Sequence, residues 1–353
     1  MSGEREGPVV VEAAALKKFV ARVFVRVGMP EGHAATVAEV LVWANLRGVD
    51  SHGVSRVPRY VEMIEVGDLN PKPDMKVRTE TVASVLIDAD RGAGPIAMTA
   101  AMDAATRKAG EAGIGLALVR ATTHTAALGY YALNAAQAGF AAIATSGSVP
   151  NMVYHGARAA GVSTSPVCIA VPGGARGPIV LDMGSGIASL GRLAHARRLG
   201  QPIPEGWALD RNGRPTTDPA LAEIPLPIAG PKGSGLALMV ECLTSLLVSN
   251  PILADTVGRP ARQRRHRQNG LAIAIDVARF GDAAAFGREV DRLAQALKGL
   301  PRDPEVAEIL IPGERASRAF EKRSRDGIPV PRSVFAELAR LAQKLGVPVV
   351  AAA

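Results

Sequence analysis

Between residues 76 and 300, short apolar runs alternate with longer alanine-rich stretches, and this alternation restricts the fold more than any other feature of the chain. VASVLIDAD, GIGLALVRAT, FAAIATSGS, VCIAVPG, PIVLDMG and NGLAIAIDVARF are each bounded by turn residues and read as strands. Residues 95–112, a stretch near 126–138, 232–248 and 282–298 carry helical spacing. Strands alternating with helices imply an α/β or α+β domain. The pattern leaves the strand order open.

The two ends of the chain have a different texture. Residues 11–29 and 31–47 read as amphipathic helices broken at Met29-Pro30. A third helix places Val57, Tyr60, Val61 and Ile64 on one face and ends near Gly67, and Pro71 and Pro73 prevent its extension. After Pro301 the chain is expected to run through polar connections to a last amphipathic helix over 331–345. Residues 1–75 and 301–353 are therefore expected to pack together as a helical domain beside the 76–300 sheet domain. With aromatic residues at 4%, alanine, valine and leucine must fill the core.

The net charge is +8, and much of the excess lies in one run, Arg259 to Arg267, with Arg262, Arg264, Arg265 and His266 between. The run has no interleaved aromatic residues and matches no nucleic-acid motif. A solvated loop is the expectation, and nucleic acid is not an expected partner. Cys168 and Cys242 sit in apolar surroundings and read as buried free thiols. The polar, acid-containing N-terminus lacks the form of a secretory signal, and no apolar run is long enough for a membrane span. A cytoplasmic location is expected.

Glycine-rich turns offer tempting but weak cofactor signals. Gly92-Ala93-Gly94-Pro95-Ile96-Ala97 fits G-x-G-x-x-A, yet no suitable acid ends a second strand about 20 residues on. Gly230-Pro231-Lys232-Gly233-Ser234 lacks the spacing of a triphosphate loop. No close histidine or cysteine pairing suggests a metal, and no G-x-S-x-G elbow suggests a serine hydrolase. Two histidines stand out. His52 follows a helix among Arg47, Asp50, Arg56 and Arg59. Imidazole suits proton transfer near neutral pH, and arginines hold carboxylates with two-point contacts. His124 follows a strand end, where α/β sites gather polar groups. Asp182 ends the strand PIVLD, where it either orients a histidine or caps the next helix. Lys232, opening a helix, is either surface charge or a phosphate contact.

Several segments together resemble the type-2 malate/L-lactate dehydrogenase family, which includes ureidoglycolate dehydrogenase, diketogulonate reductase, sulfolactate dehydrogenase and the piperideine/pyrroline-2-carboxylate reductases. They are LRGVDSHGVSRVPRY, VRATTHTAALGYYA, STSPVCIAVPG, PIVLDMGSG, IPEGWALDRNGRPTTDP, GPKGSGLALMVE, NGLAIAID, IPGER and GIPVP, in that order along nearly the whole chain. The resemblance implies an α+β fold whose NAD(P)-binding domain is not of the Rossmann type and has a largely antiparallel sheet. It also implies a homodimer, NAD or NADP as cofactor and a small carboxylate as substrate. By motif position His52 and His124 match proton-transfer residues, and Arg56 and Tyr60 match substrate contacts. Arg47 joins them as a candidate from the arginine cluster, and Asp182 as a candidate orienting group. Thr164, Ser165, Pro178, Ile179, Val180, Leu181, Asp182, Met183, Gly184, Pro231, Lys232, Gly313, Glu314 and Arg315 fall at cofactor-contacting positions. The family's usual Asn and Ala are replaced by Ser165 and Gly184 here. The expected activity is hydride transfer between nicotinamide and the α-carbon of a small 2-oxo or 2-hydroxy acid. Reduction of cyclic 2-imino acids is the nearest alternative, and a non-catalytic nucleic-acid-binding protein a remote one.

Overall fold

The strand-forming runs between 76 and 300 assemble into one seven-stranded sheet. The structure, a computed structural model, describes residues 7–259 and 265–352. The strands are β1 (Lys76–Glu80), β2 (Ser84–Asp88), β3 (Ile114–Thr122), β4 (Phe140–Ser148), β5 (Val167–Val171), β6 (Ile179–Met183) and β7 (Gln268–Asp276). The principal helices are α1 (Ala13–Arg26), α2 (Glu31–Leu46), α3 (Val57–Glu65), α4 (Gly94–Ala112), α5 (Gly129–Gln137), α6 (Leu190–Leu199), α7 (Pro231–Glu241), α8 (Ala283–Lys298), α9 (Glu314–Asp326) and α10 (Arg332–Leu345).

Strand order is β1-β2-β3-β7-β4-β5-β6. Five of the six neighbouring pairs are antiparallel; β2 and β3 are parallel, with α4 as their crossover. The late strand β7 inserts between β3 and β4, pairing Ala272 with both Ala117 and Ala144. Alanine at these buried positions lets the alanine-rich α4 approach the sheet closely. At Gly115 a Cβ would lie 2.0 Å from the Ala105 carbonyl, so even a methyl group is excluded there.

Both chain ends meet in a short antiparallel pair, Val9–Val11 with Ile328–Val330. Helix α2 buries residues all round its axis, including Val37, Leu41 and Ala44, which suits a central helix rather than a surface one. One continuous buried core runs from Leu16 and Leu338 through α2 to Val119 and Ala272 in the sheet. Each large apolar side chain fully buried there contributes on the order of 1.5–3 kcal/mol.

Three elements differ from expectation. Strand β1 is exposed along its length, so its sequence carries no inward-facing apolar alternation. Helix α9 occupies a stretch expected to be polar connection. It buries no residue fully, and pairs such as Lys322–Asp326 at 2.7 Å support it along its surface. The apolar helix expected over 232–248 is α-helical only to Glu241. A wider π turn follows over Cys242–Leu246, where Thr244 Oγ1 donates back to the Val240 carbonyl at 2.7 Å. Among the described residues no helix is long and apolar enough to cross a membrane.

Candidate active site

A cleft of about 1100 Å³ opens where the helical ends meet the β5–β6 edge of the sheet. Its walls bring together Arg47, His52, Arg56, Thr164, Val180, Leu181, Asp182, Met183, Gly184, Gly313 and Arg315, with Arg192 and Arg198 from α6. These residues come from widely separated parts of the chain.

His52 is fixed by the turn after α2. Asp50–His52 form a single 3-10 turn, which the side chain of Asn45 organises. Asn45 Oδ1 accepts the Val54 N–H at 2.8 Å, and Asn45 Nδ2 donates to Asp50 Oδ1 at 2.6 Å. Asp50 is clamped from the far end of the chain by Arg323 of α9, at 2.7 and 3.1 Å. A side chain at Gly53 would collide with Asn45, so the glycine is required by close approach. Ser51 Oγ lies 3.0 Å from His52 Nδ1, and Arg56 Nε donates to the Ser51 carbonyl at 2.6 Å. Among the described residues no carboxylate pairs with Arg56.

His124 stands behind His52, with ring centroids 5.4 Å apart and planes inclined by 24°. Its Nδ1 accepts the Ala126 N–H at 3.3 Å, which leaves the proton of the neutral ring on Nε2. The Tyr60 hydroxyl is 2.8 Å from the same Nδ1 and 2.9 Å from the His124 carbonyl, and its single proton is shared between these two acceptors. The Gly92–Gly94 turn supports this segment. The Gly92 carbonyl accepts from Thr122 Oγ1 and Thr123 Oγ1, both at 3.1 Å. A Cβ on Gly94 would lie 2.3 Å from the His124 carbonyl. These glycines thus serve the seating of a histidine loop against the start of α4.

Desolvation governs the charge state of this group. Packing around His52, reinforced by Arg56, pushes its imidazole down to about 4. Desolvation, with Arg56 and the other histidines, holds His124 well below the ordinary histidine range. The buried Tyr60 hydroxyl is raised. At neutral pH the site therefore presents two uncharged rings beside a guanidinium.

Asp182 lines the cleft, but its hydrogen bond runs elsewhere than to a histidine. Its Oδ2 accepts the Gly129 N–H at 2.8 Å, at the N-terminus of α5, where a carboxylate is favoured. Desolvation raises this carboxyl above its usual range, opposed by the Gly129 N–H and the Arg47 charge. The orienting role expected of Asp182 is met for His124 by Tyr60 and the Ala126 N–H. Arg47 is itself engaged, stacked 5.5 Å over Trp43 and donating to Ser317 Oγ at 3.0 Å.

Comparison with known proteins decides the assignment. The model of the malate/L-lactate dehydrogenase family matches residues 11–339. The chain belongs to that family. It is 35% identical to the L-sulfolactate dehydrogenase of Methanocaldococcus jannaschii, covering 94% of this chain and 95% of that one. The NAD(+) ureidoglycolate dehydrogenase of Escherichia coli is 31% identical, covering 87% and 88%. Among solved structures, malate dehydrogenase from Pyrococcus horikoshii superposes with a TM-score of 0.88 at 31% identity, covering 99% of each chain. Δ1-piperideine-2-carboxylate reductase from Pseudomonas syringae gives 0.84 at 28%, covering 94% of this chain and 99% of that one. The chain is therefore an oxidoreductase.

In this dehydrogenase the remaining family-matched positions divide into two sets. Thr164, Val180 to Gly184, Gly313 and Arg315 line the cleft. Gly313 has φ +91°, and Val180 N–H donates to the adjacent Pro312 carbonyl at 3.3 Å, which joins the start of α9 to β6. Gly184 has ordinary space for a methyl, 3.4 Å from the Thr164 carbonyl, so the alanine usual in the family fits there. Ser165 stands beneath, buried, at φ +24° and bonded to Ser163 Oγ at 2.7 Å. Asparagine, usual in the family, tolerates positive φ better. Pro178 and Ile179 precede the cleft-lining part of β6 and are half-buried. Glu314 binds Lys298 at 2.7 Å and also Arg176, so it anchors α9. Pro231 and Lys232 begin α7, exposed, outside the cleft wall.

Of the basic run, Arg265 and Arg267 pair with Asp68 and Asp255 at 2.6 and 3.2 Å. Arg262 and Arg264 lie outside the described residues. Asn45, Asp50 and Arg323 were missed as positioning residues by sequence reasoning. An asparagine at a helix end and an aspartate in the turn after it are common, and their partner Arg323 in α9 is remote in sequence.

Proposed function

We propose that this enzyme transfers a hydride between NAD or NADP and the α-carbon of a small 2-oxo or 2-hydroxy acid, with His52 and His124 as the proton-handling pair. The observation that carries this is the stacking of a neutral His124 behind the neutral, cleft-lining His52, beside an arginine without a carboxylate partner among the described residues. Arg56 takes the substrate carboxylate. A neutral ring is ready to accept the hydroxyl proton when a 2-hydroxy acid is oxidised. Docking a carboxylate on Arg56 removes one cause of the depressed imidazole, which supports proton donation in the reverse direction. Tyr60 holds His124 in one tautomer. Asp182 remains a candidate site residue through its place on the cleft wall.

A dinucleotide fits the rest of the cleft. The volume is ample, the Gly184 and Gly313 backbones leave the walls open, and Arg192, Arg198 and Arg315 offer charge to phosphates. When bound, it supplies the hydride chemistry. We place it outside the Rossmann class, because Gly92 and Gly94 are occupied by the chain's own Thr122–Thr125 segment. Residues 1–75 with 301–353 form the proposed helical domain beside 76–300. A cytoplasmic homodimer belongs to the same proposal. It is supported by the exposed apolar row Leu236, Met239, Leu243, Leu246 and Leu247, which a second copy of the chain can cover.

The resemblance in fold to a piperideine-carboxylate reductase keeps cyclic 2-imino acids in the test. Pyruvate, oxaloacetate and Δ1-piperideine-2-carboxylate, each with NADH and NADPH, separate the readings. Turnover of a 2-oxo acid with either cofactor is expected. Turnover of the imine alone would replace the 2-oxo acid reading with the imino acid one, and inertness on all three would overturn both.

A further inference from the structure

A third imidazole stands beside the catalytic pair. His266 lies in the connection between α7 and β7, with its ring centroid 6.5 Å from that of His124. Its Nε2 is buried and has no hydrogen-bond partner among the described residues. Buried polar atoms in folded proteins are nearly always paired, so an orphan beside a binding site marks a place for a ligand group.

The backbone carrying His266 is tied down on both sides. Arg265 donates from Nε to Asp68 Oδ1 and from Nη2 to the Gly67 carbonyl, both at 2.6 Å. Arg267 reaches Asp255 at 3.2 Å. The surrounding charge is mainly positive. Arg56, Arg59 and Arg91 act on the ring, and Asp68, the one acid among its influences, is shared by Arg91 and Arg265. Desolvation, aided by Arg59, lowers His266 to about 4, so at neutral pH the ring is uncharged and its two nitrogens offer one donor and one acceptor.

Arg56 is assigned to the substrate carboxylate and His52 with His124 to the reacting oxygen. Among the rings of this cluster, the buried nitrogen without a hydrogen-bond partner among the described residues is Nε2 of His266. Resting on that reading of the site, we infer that His266 reads the tail of the substrate, the group across the reacting carbon from the carboxylate, and favours acids whose tail carries a second anionic or hydrogen-bonding group. A methyl tail leaves Nε2 unpaired, whereas a carboxylate tail pairs it among the positive charges of Arg59, Arg56 and Arg91. Discrimination then comes from the penalty of the unpaired group.

The test compares kcat/KM for oxaloacetate and pyruvate in the full-length wild type, His266→Phe and His266→Gln, with NADH and with NADPH. Phenylalanine keeps the ring volume and removes the nitrogens; glutamine keeps a hydrogen-bonding group. His266→Phe is expected to lose about 10- to 100-fold on oxaloacetate, mainly through KM, the loss typical of one hydrogen bond to a charged group. Its activity on pyruvate should stay within about 2-fold, and His266→Gln should recover most of the loss. An equal fall on both substrates, in either variant that folds, means a structural role and overturns the inference, as does an unchanged ratio. A wild type inert towards both acids would refute the parent reading as well, which separates the two failures.

Discussion

The two ends of the cleft are built by different means. At the proposed proton end, His52, His124 and Tyr60 would work through side-chain identity. The turn organised by Asn45, Asp50 and Arg323 holds His52, Tyr60 and the Ala126 N–H hold His124, and desolvation keeps both rings uncharged. At the other end, β6 and the start of α9 work through backbone shape, with Gly184 and Gly313 leaving the wall open and three arginines nearby. Chemistry that moves a proton needs one particular ring at one place. Chemistry that seats a long cofactor needs room and donors, which many side chains allow. The two ends should therefore fail in different ways when mutated.

The largest effect is expected from the proton end. Replacing the true donor, His52 or His124, by Asn should lower kcat by about 10²–10⁴-fold, the usual contribution of a positioned acid or base. The rise in melting temperature caused by NADH or NADPH should survive, because it reports binding to the other end. Loss of that rise in both variants would erase the division.

Arg323→Ala should come next. It leaves Asp50 without its clamp and frees the Ser51-His52 turn, although Arg323 itself does not line the cleft. A loss of about 10- to 100-fold in kcat/KM is expected from misplacement of the ring, with cofactor-induced stabilisation retained. Wild-type kinetics in this variant would show that the turn holds itself.

Gly313→Ala should have a smaller and opposite signature. A residue with a Cβ at φ +91° is strained by about 1–2 kcal/mol, and that Cβ would lie 3.0 Å from the Val180 carbonyl. The cofactor KM should rise several-fold while kcat at saturating cofactor holds. A fall in kcat alone would place Gly313 on the proton side of the division.

The smallest effect is on stability and belongs to the proton end. His52 and His266 fall to about 4 in the folded chain, against about 6.5 when unfolded. Between those values the unfolded state binds protons that the folded state refuses. Stability should thus be insensitive to these rings above pH 6.5 and should decline as the pH is lowered from about 6.5 towards 4. Melting temperatures measured over that window should fall less steeply in His52→Asn than in wild type. Identical slopes would mean that the ring is not desolvated.

Legibility in the sequence follows the same division. His52, Arg56, Tyr60 and His124 stand out because chemistry restricts their residue types, and the structure sets the two histidines ring to ring. The strands β2 to β7 are also visible, since each keeps an apolar run between turn residues. Asp182 was found as a cleft residue while its partner was not, because the Gly129 N–H that it caps lies at the start of another helix. Helix α9 escaped notice because most of its residues are charged and its apolar face is narrow, carrying only Ala316, Ala319 and Phe320.

The sequence by itself marked the strands β2 to β7, most of the helices and the candidate residues for the chemistry, because periodicity, turn residues and functional groups are local properties of the chain. The tertiary structure decided the strand order, with β7 between β3 and β4, and the clamp of Arg323 on Asp50. It also decided the approach of His266 to His124 and the depressed imidazoles. Each of these depends on groups distant in sequence being brought within a few ångströms, and on water being excluded when they meet. No local pattern encodes either condition.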